Sequence, residues 1–302
     1  MEGAMRKAHY TVRGKDVQEH AEGLIQKYLG LADHSKKCTS STLLQVLFAA
    51  TARLTSIFAA CLHLKDAPSC ETIRKALLAS LPGYAELQRG VNRALAGDLP
   101  KALRRRKQRL AIDLHLVPYY GEPHKDPKEI YRSQAKDGTN NFHAYASAYV
   151  VCKGQRYTVA LTPVERGETM KSVVQRLLTQ ARRASVRPGL LLLDRGFYCV
   201  EVIRYLQAAR VPFLMPAVAR GRLPKEGKPA KGIRAFQLWK RGGWGQHTLA
   251  SGKKKATVSI CVFCGNYRGA GSMRIGGSSR DRRAGWPTPI DSVSASRQVI
   301  GN

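Results

Sequence analysis

Acidic side chains are scarce in this chain. Its 302 residues include 21 Asp and Glu against 51 Lys and Arg, which gives a formal net charge of +30. Aromatic residues are also few, at 7%, but hydrophobic residues make up 43%, so the chain can bury one or two ordinary cores and is not a disordered basic tail. Binding an acidic small molecule would not need positive charge over the whole length, so we expect a nucleic acid partner.

The sequence also lacks a secretory signal and a convincing membrane span. Residues 1–14 contain no apolar run. The apolar segment Leu43–Leu64 is long enough to cross a bilayer, but it contains Gln45 and Arg53, and a central Arg costs about 2.5–3.5 kcal/mol on insertion scales. We predict one long buried helix there and no membrane partner. The seven scattered cysteines predict reduced thiols in a cytosolic protein.

Helical spacing dominates residues 1–109, which we interpret as an N-terminal helical domain. One helix is expected after Ser69, its N-cap, and the next over Tyr84–Ala96, with Pro82 and Gly83 between them. Two helices so joined are a candidate helix-turn-helix reader of DNA, although a bundle that only packs is the alternative. The basic run Arg104, Arg105, Arg106 and Lys107 follows, and it is either a phosphate-binding segment or a solvated linker.

From residue 110 the pattern changes to short apolar strands with two amphipathic helices between them. Three strands come first, then a helix, a strand, a helix and a further strand, and this order predicts a mixed sheet with helices against its faces. It is the order of the ribonuclease-H-like fold, which we assign to residues 110–218. The predicted strands are Leu110–Val117, Phe142–Val151, Arg156–Thr162, Leu190–Leu193 and Val211–Val218.

A small β-rich insertion is expected at residues 219–265. Its strands are predicted at Ile233–Trp239, Trp244–Leu249 and Ala256–Phe263. The two tryptophans are more typical of a small β core than of base stacking, and Cys261 and Cys264 are one half of a zinc-ribbon spacing without a second pair. Residues 266–302 are rich in Gly, Ser and Arg and predict an irregular, disordered tail.

Two aspartates occupy positions where a charge is costly. Asp113 lies in the middle of an apolar strand, and Asp194 ends another. A carboxylate in a sheet interior needs a partner, and the first and fourth strands of the predicted sheet are neighbours, so we expect the two side chains to converge. Paired carboxylates repel each other, and a divalent cation relieves the repulsion; hard oxygen ligands favour Mg²⁺ or Mn²⁺. Buried aspartates satisfied by local hydrogen bonds are the alternative.

Four segments together resemble a DDE transposase of a prokaryotic insertion sequence, in the branch whose catalytic core carries a β-rich insertion. They read IDLHLVPYYG at 112–121, FHAYASAY at 142–149, LLLDRGFY at 191–198 and VIRYL at 202–206. The resemblance covers about residues 40–265. It implies that Asp113 and Asp194 are catalytic metal ligands, that the reaction is DNA strand cleavage and transfer, and that Mg²⁺ or Mn²⁺ is the cofactor.

The same resemblance implies which partners the protein binds, and it shows one point at which this chain departs from the family pattern. The partners are double-stranded DNA, as transposon ends and target, and a second copy in a homodimer on DNA, within the cytoplasm at the nucleoid. The family's third ligand is a Glu on a helix after the insertion. Here the only acids after Glu226 are Asp281 and Asp291, neither in a helical pattern. We infer a frameshift or truncation near Gly265–Gly269 and expect catalysis to be impaired, which leaves a non-catalytic DNA-binding protein as the alternative.

Three further residues are candidates for accessory roles. His115 lies two residues from Asp113 on the same strand face, although a partly buried structural histidine is the favoured interpretation. Arg195 is a candidate for phosphate binding, and it and Tyr198 are both candidates to orient Asp194. Capping and packing roles are equally compatible with their positions.

Overall fold

The fold was obtained as a computed structural model, which describes residues 12–122, 128–152, 154–219, 228–237, 239 and 242–262 and the backbone of 273–277. These residues form two compact units, the first ending at Phe197 and the second beginning at Tyr198. Both units combine helices with strands, and parallel as well as antiparallel pairs occur, so the fold is mixed α/β, as the sequence predicts. The division into segments 1–109, 110–218, 219–265 and 266–302 stays a prediction.

Six helices precede the first strand. Their bounds are α1 Gly14–Leu29, α2 Ser40–Ala52, α3 Ile57–His63, α4 Cys70–Ser80, α5 Tyr84–Gly97 and α6 Lys101–Arg105. Hydroxyl side chains begin three of them: Thr39, Ser56 and Ser69 each accept a hydrogen bond from a backbone N–H of the first turn. Helices α2, α3 and α4 share a core that includes Leu43, Val46, Ala60 and Ile73.

The long helix predicted over Leu43–Leu64 is wrong, because the chain turns by 106° between α2 and α3. Leu54 adopts φ 50° at the corner, and Ser56 starts the new helix by capping it. The sequence carries the capping serine but gives no glycine to mark the left-handed residue. Within the described ranges, no single helix is long and apolar enough to cross a membrane, and only the bent pair α2 and α3 meets that test when taken together.

The first unit contains five strands. They are β1 Lys107–Pro118, β2 Ile130–Lys136, β3 Thr139–Cys152, β4 Gln155–Pro163 and β5 Arg187–Leu193. Strand β1 pairs antiparallel with β3 and parallel with β5, and β3 pairs antiparallel with both β2 and β4. The order β4–β3–β1–β5 with these directions is the one predicted for the first four strands of a ribonuclease-H-like sheet. Strand β2 is an addition that the sequence analysis left unassigned.

Helix α7, Met170–Arg183, covers one face of this sheet. Its Thr169 cap is as predicted, and its buried side chains include Val173, Leu177 and Ala181. Arg176 of this helix donates a hydrogen bond to the hydroxyl of Thr162, and Thr162 pairs with Ala146 across β4 and β3. Helix α7 therefore lies on the face of the sheet to which Thr162 and Ala146 point. Asp113 pairs directly with Ser147, the next residue of β3, so Asp113 lies on the opposite face.

Helix α5 closes the outer edge of β4. The Asn92 side chain accepts from the backbone N–H of Leu161 at 2.9 Å and donates to the Leu161 carbonyl at 2.8 Å. It also donates to the Gln88 carbonyl, and Gln88 donates to Thr162. Asn92 is only 7% exposed. An open sheet edge carries unpaired backbone groups, and here one amide side chain satisfies both groups of Leu161.

The second unit contains helix α8, Val200–Ala208, strand β6, Phe213–Pro216, and a small antiparallel sheet. The remaining elements are α9 Ile233–Gln237, β7 Gly243–Ser251, β8 Lys254–Val262 and β9 Met273–Gly277. The strand order is β6–β9–β8–β7, with every pair antiparallel. Strands β7 and β8 cover the strands predicted at Trp244–Leu249 and Ala256–Phe263, and they pair antiparallel.

Two elements of the second unit differ from the sequence prediction. The strand predicted over Ile233–Trp239 is wrong: Ile233–Gln237 is a helical turn whose Phe236 ring contacts Trp239 at 5.0 Å between centroids. Apolar runs this short do not separate strand from helix. Strand β9 lies in the segment predicted to be irregular, and its pairing with β6 and β8 is a long-range contact that composition does not reveal. Glu226, Cys264, Asp281 and Asp291 lie outside the described residues.

Gly245 is expected to tolerate no side chain. A Cβ at this position would lie 2.3 Å from Phe236 Cε1 and 3.1 Å from Trp239 Cη2. Gly245→Ala should therefore lower the unfolding free energy of the second unit by about 1–3 kcal/mol through overpacking, as measured by thermal denaturation followed by tryptophan fluorescence. The matched control is Gly23→Ala in α1, where nothing lies within 4 Å and the change should be neutral or stabilising. Equal midpoints for both variants would contradict the clash.

Candidate active site

Asp113 and Asp194 are neighbours in the structure. Strands β1 and β5 pair in parallel through Ile112 with Leu193, so the two aspartates occupy the next position of the same register. Adjacent strands lie about 4.8 Å apart. The sequence prediction that these two residues, far apart along the chain, meet at one edge is consistent with this placement. Both belong to the first unit.

Backbone amides hold both carboxylates. The N–H of Leu114 donates to Asp113 Oδ1 at 2.9 Å, and the N–H of Gly196 donates to Asp194 Oδ1 at 2.8 Å. The second of these bonds closes a turn that leads into a short 3₁₀ segment, Arg195–Phe197. Both side chains remain partly exposed. The arrangement therefore fixes two carboxylates side by side and leaves them accessible.

The pKa of Asp194 is raised above its ordinary value. Desolvation by the surrounding protein is the largest cause, even though much of the residue's own surface is exposed, and the nearby charge of Asp113 raises it further. The amides of Gly196 and Phe197 and the charge of Arg195 act in the opposite direction. A cation between the carboxylates would remove the part of the pKa increase that comes from the charge of Asp113.

This raised pKa predicts a pH dependence of stability in metal-free buffer. A carboxyl whose pKa is higher in the folded than in the unfolded chain lowers the unfolding free energy as pH rises from 3.8 through the folded value. Asp194→Asn removes that loss, so its gain in stability over wild type should be larger at pH 7 than at pH 4, as measured by urea denaturation. A larger gain in stability at pH 4 than at pH 7 would contradict a raised pKa for Asp194.

His115 lies beside this pair. Its Nε2 is 3.0 Å from the Ser147 hydroxyl and 4.0 Å from Asp113 Oδ2, and about half of its side chain is exposed. Its partial burial and its bond with Ser147 fit a structural histidine, and its place next to Asp113 fits an accessory role as well. Ser147 was not among the sequence candidates. Only the register of β1 and β3, which places Ser147 opposite Asp113, identifies it.

Some of the other predicted site residues lie near the aspartates and others lie far from them. Arg195 is exposed next to Asp194, whereas Tyr198 is 2% exposed, so its ring is a core group of the second unit. The run Arg104–Lys107 is exposed at the start of β1. Six residues of strand separate Lys107 from Asp113, which is about 20 Å. The structure therefore brings Arg195 and His115 to the aspartates but not the basic run.

A cavity of about 160 Å³ opens near the start of β3 and the end of β4. No sequence signal pointed to it. Its lining includes Tyr84, Glu129, His143, Tyr145 and Glu165. Tyr145 is the strand partner of His115, which places the cavity beyond His115 from the aspartates. Burial and the neighbouring Tyr145 raise the pKa of the Tyr84 phenol, so Tyr84 is protonated at neutral pH.

The donor set suits a hard divalent cation in part. Two accessible carboxylates match the ligands that Mg²⁺ and Mn²⁺ prefer. Within the residues that the structure describes, however, no three His, Cys, Asp or Glu side chains converge as a metal-binding group. Asp113 and Asp194 would hold such an ion with oxygens from water or from a bound substrate.

Comparisons with known proteins complete the description. No family model matches the chain, and no curated protein matches it. Among solved structures, a piggyBac transposase synaptic complex with hairpin DNA is similar at 10% identity and a TM-score of 0.39, over 92% of this chain and 56% of that chain. Endonuclease V of Ciona intestinalis, bound to a 24mer DNA, is similar at 12% identity and a TM-score of 0.30, over 63% of this chain and 80% of that chain. This chain thus spans little more than half the length of the transposase, and at this level of similarity neither activity transfers to it.

Proposed function

We propose that the protein is a DNA strand-cleaving and strand-transferring enzyme of the transposase type. The observation that carries the proposal is the side-by-side placement of Asp113 and Asp194 along parallel strands, with both carboxylates partly exposed. A net charge of +30 supports DNA as the substrate. The prediction that the protein acts as a homodimer on transposon ends and target DNA, at the nucleoid in the cytoplasm, belongs to the same proposal.

The chemistry follows from what the side chains can do. Asp113 and Asp194 would hold Mg²⁺ or Mn²⁺, which when bound activates an attacking water or 3′-hydroxyl and stabilises the leaving oxygen of a phosphodiester. Arg195 is positioned to contact a phosphate oxygen next to Asp194. His115 and Ser147 form a hydrogen-bonded pair beside Asp113, and this pair would limit the movement of the Asp113 carboxylate.

A second candidate is a DNA-binding protein without catalysis. The observation that favours it is that no three His, Cys, Asp or Glu side chains within the described residues form a group that could hold a metal ion. Such a protein would occupy transposon ends and exclude an active enzyme. It would keep the basic residues and need no metal.

A nicking assay separates the two candidates. Supercoiled plasmid carrying the transposon ends is incubated with the full chain in Mg²⁺, Mn²⁺ or EDTA, and nicked product is measured on a gel. The enzyme predicts nicks only with a divalent ion. Binding in a mobility-shift assay without any nicking would instead support the second candidate, and the absence of both would contradict both.

A further inference from the structure

The starts of β1 and β5 form a strongly basic surface that the candidate active site does not use. We call it the basic end. It consists of eight exposed cations from three segments, namely Arg104, Arg105, Arg106, Lys107, Arg109, Arg182, Arg183 and Arg187. The first five lie close together in the sequence, whereas the last three belong to α7 and β5.

Specific contacts join the three segments. Lys107 is the parallel-strand partner of Arg187, and Arg187 Nη2 donates to the Arg105 carbonyl at 3.4 Å. Helix α7 ends at Arg183, just before β5 begins at Arg187. The cations therefore lie on one surface. Arg104 and Arg187 each use one N–H on a backbone carbonyl, and a guanidinium has five, so both retain donors for a ligand.

The basic end has no acidic neighbour in its own segments. Residues 99–112 and 169–193 contain no Asp or Glu. The last acid before the basic run, Asp98, is bonded to His20 at 2.7 Å, and the first acid after it is Asp113 of the candidate active site. The C-terminal dipole of α7 favours a cation near Arg182 and Arg183, but it amounts to about half a charge and does not balance eight. Like charges at this density repel each other unless a polyanion binds.

Distance separates this surface from the aspartates. Lys107 and Arg187 start β1 and β5, whereas Asp113 lies in the middle of β1 and Asp194 follows the end of β5, about 20 Å away along the strand. That length corresponds to roughly six base pairs of duplex at 3.4 Å each. A group so far away does not contact the phosphate next to a bond held at the aspartates.

We propose that the basic end is a second docking surface for duplex DNA, which binds the phosphate backbone about four to six base pairs from the cleaved bond. The inference deepens the proposed function, since it assumes DNA as the substrate. The binding is sequence-independent, because the cations are exposed arginines and a lysine with no groove-reading element among them.

The test compares three triple variants in fluorescence anisotropy with a labelled 24-bp duplex in EDTA. Replacing Arg182, Arg183 and Arg187 by Glu should weaken binding roughly tenfold near 0.15 M salt and reduce the slope of log K against log salt by about 2 to 3. Replacing the same residues by Lys should retain both values. The control reverses the exposed Lys27, Lys36 and Lys37 to Glu, with the same change in net charge, and should weaken binding less than about threefold.

Each other outcome would overturn the docking surface. Equal losses in the Glu variant and the control would show that only net charge matters, and an equal loss in the Lys variant would show a folding defect. A duplex RNA bound at least tenfold more tightly than the DNA would assign the surface to RNA. The inference stands apart from cleavage: if no metal-dependent nicking occurs but the Glu variant still loses DNA, the cleavage proposal fails and the docking surface remains.

Discussion

Replacing Asp113 by Asn is expected to reduce divalent-dependent nicking by roughly a thousandfold, which corresponds to about 4 kcal/mol of transition-state stabilisation. The substitution keeps the size of the side chain and its bond from the Leu114 amide but removes the charge that holds the cation. Asp194→Asn should have an effect of the same order, because the two carboxylates face the same ion. DNA binding in EDTA should change little in either variant, since neither carboxylate is needed to attract phosphate.

The matched control for these variants is Asp66→Asn. Asp66 is an exposed turn residue at φ 62°, a conformation that Asn adopts as readily as Asp. Nicking by this variant should equal that of wild type. If Asp66→Asn and Asp113→Asn lost the same share of activity, the nicking would come from a contaminant or from a general effect on the chain rather than from the carboxylate pair.

Replacing Asn92 by Ala is expected to lower the unfolding free energy of the first unit by about 2–4 kcal/mol. The change leaves the N–H and carbonyl of Leu161 without partners in a buried place, and each unsatisfied group costs about 1–3 kcal/mol. Chemical denaturation followed by circular dichroism measures the effect. Asn92→Asp should also destabilise, because it keeps the acceptor but sets a carboxylate against the carbonyls of Gln88 and Leu161.

Arg93→Ala is the control for this pair of variants. Arg93 is the next residue of α5 and is exposed, so its loss should change stability by less than about 0.5 kcal/mol. A similar loss for Arg93→Ala and Asn92→Ala would mean that a general effect on α5, rather than the closed strand edge, sets the stability, because alanine itself favours a helix over both residues. Wild-type stability in Asn92→Ala would show that water replaces the amide at Leu161.

Much of the fold was predictable because its elements follow local rules. Strands β1, β3, β4 and β5 each contain an apolar run of strand length, and α7 has an apolar face and a threonine cap. The failures were features without a local signal. The corner at Leu54 depends on a non-glycine residue in a left-handed conformation, and β9 exists only through its pairing with β6 and β8.

The candidate site was predictable to the same extent. Asp113 and Asp194 stood out because a charge in an apolar strand needs an explanation, and the predicted strand order placed them together. Ser147 and Tyr145 did not stand out, since a serine or tyrosine in a strand is unremarkable until register shows what it faces. The partners of Arg104–Lys107 were equally hidden, because Arg182, Arg183 and Arg187 reach them only through the parallel pairing of β1 and β5.

The closed edge of β4 bears on how this protein can be dissected. A fragment that starts at β1 would lack α5 and would leave the outer backbone of β4 open to solvent. Exposed edges recruit strands from other chains, so such a fragment should form aggregates instead of a monomeric catalytic core. Helix α5 therefore protects the sheet edge from pairing with other chains, and a truncated protein that is to stay monomeric must start before α5.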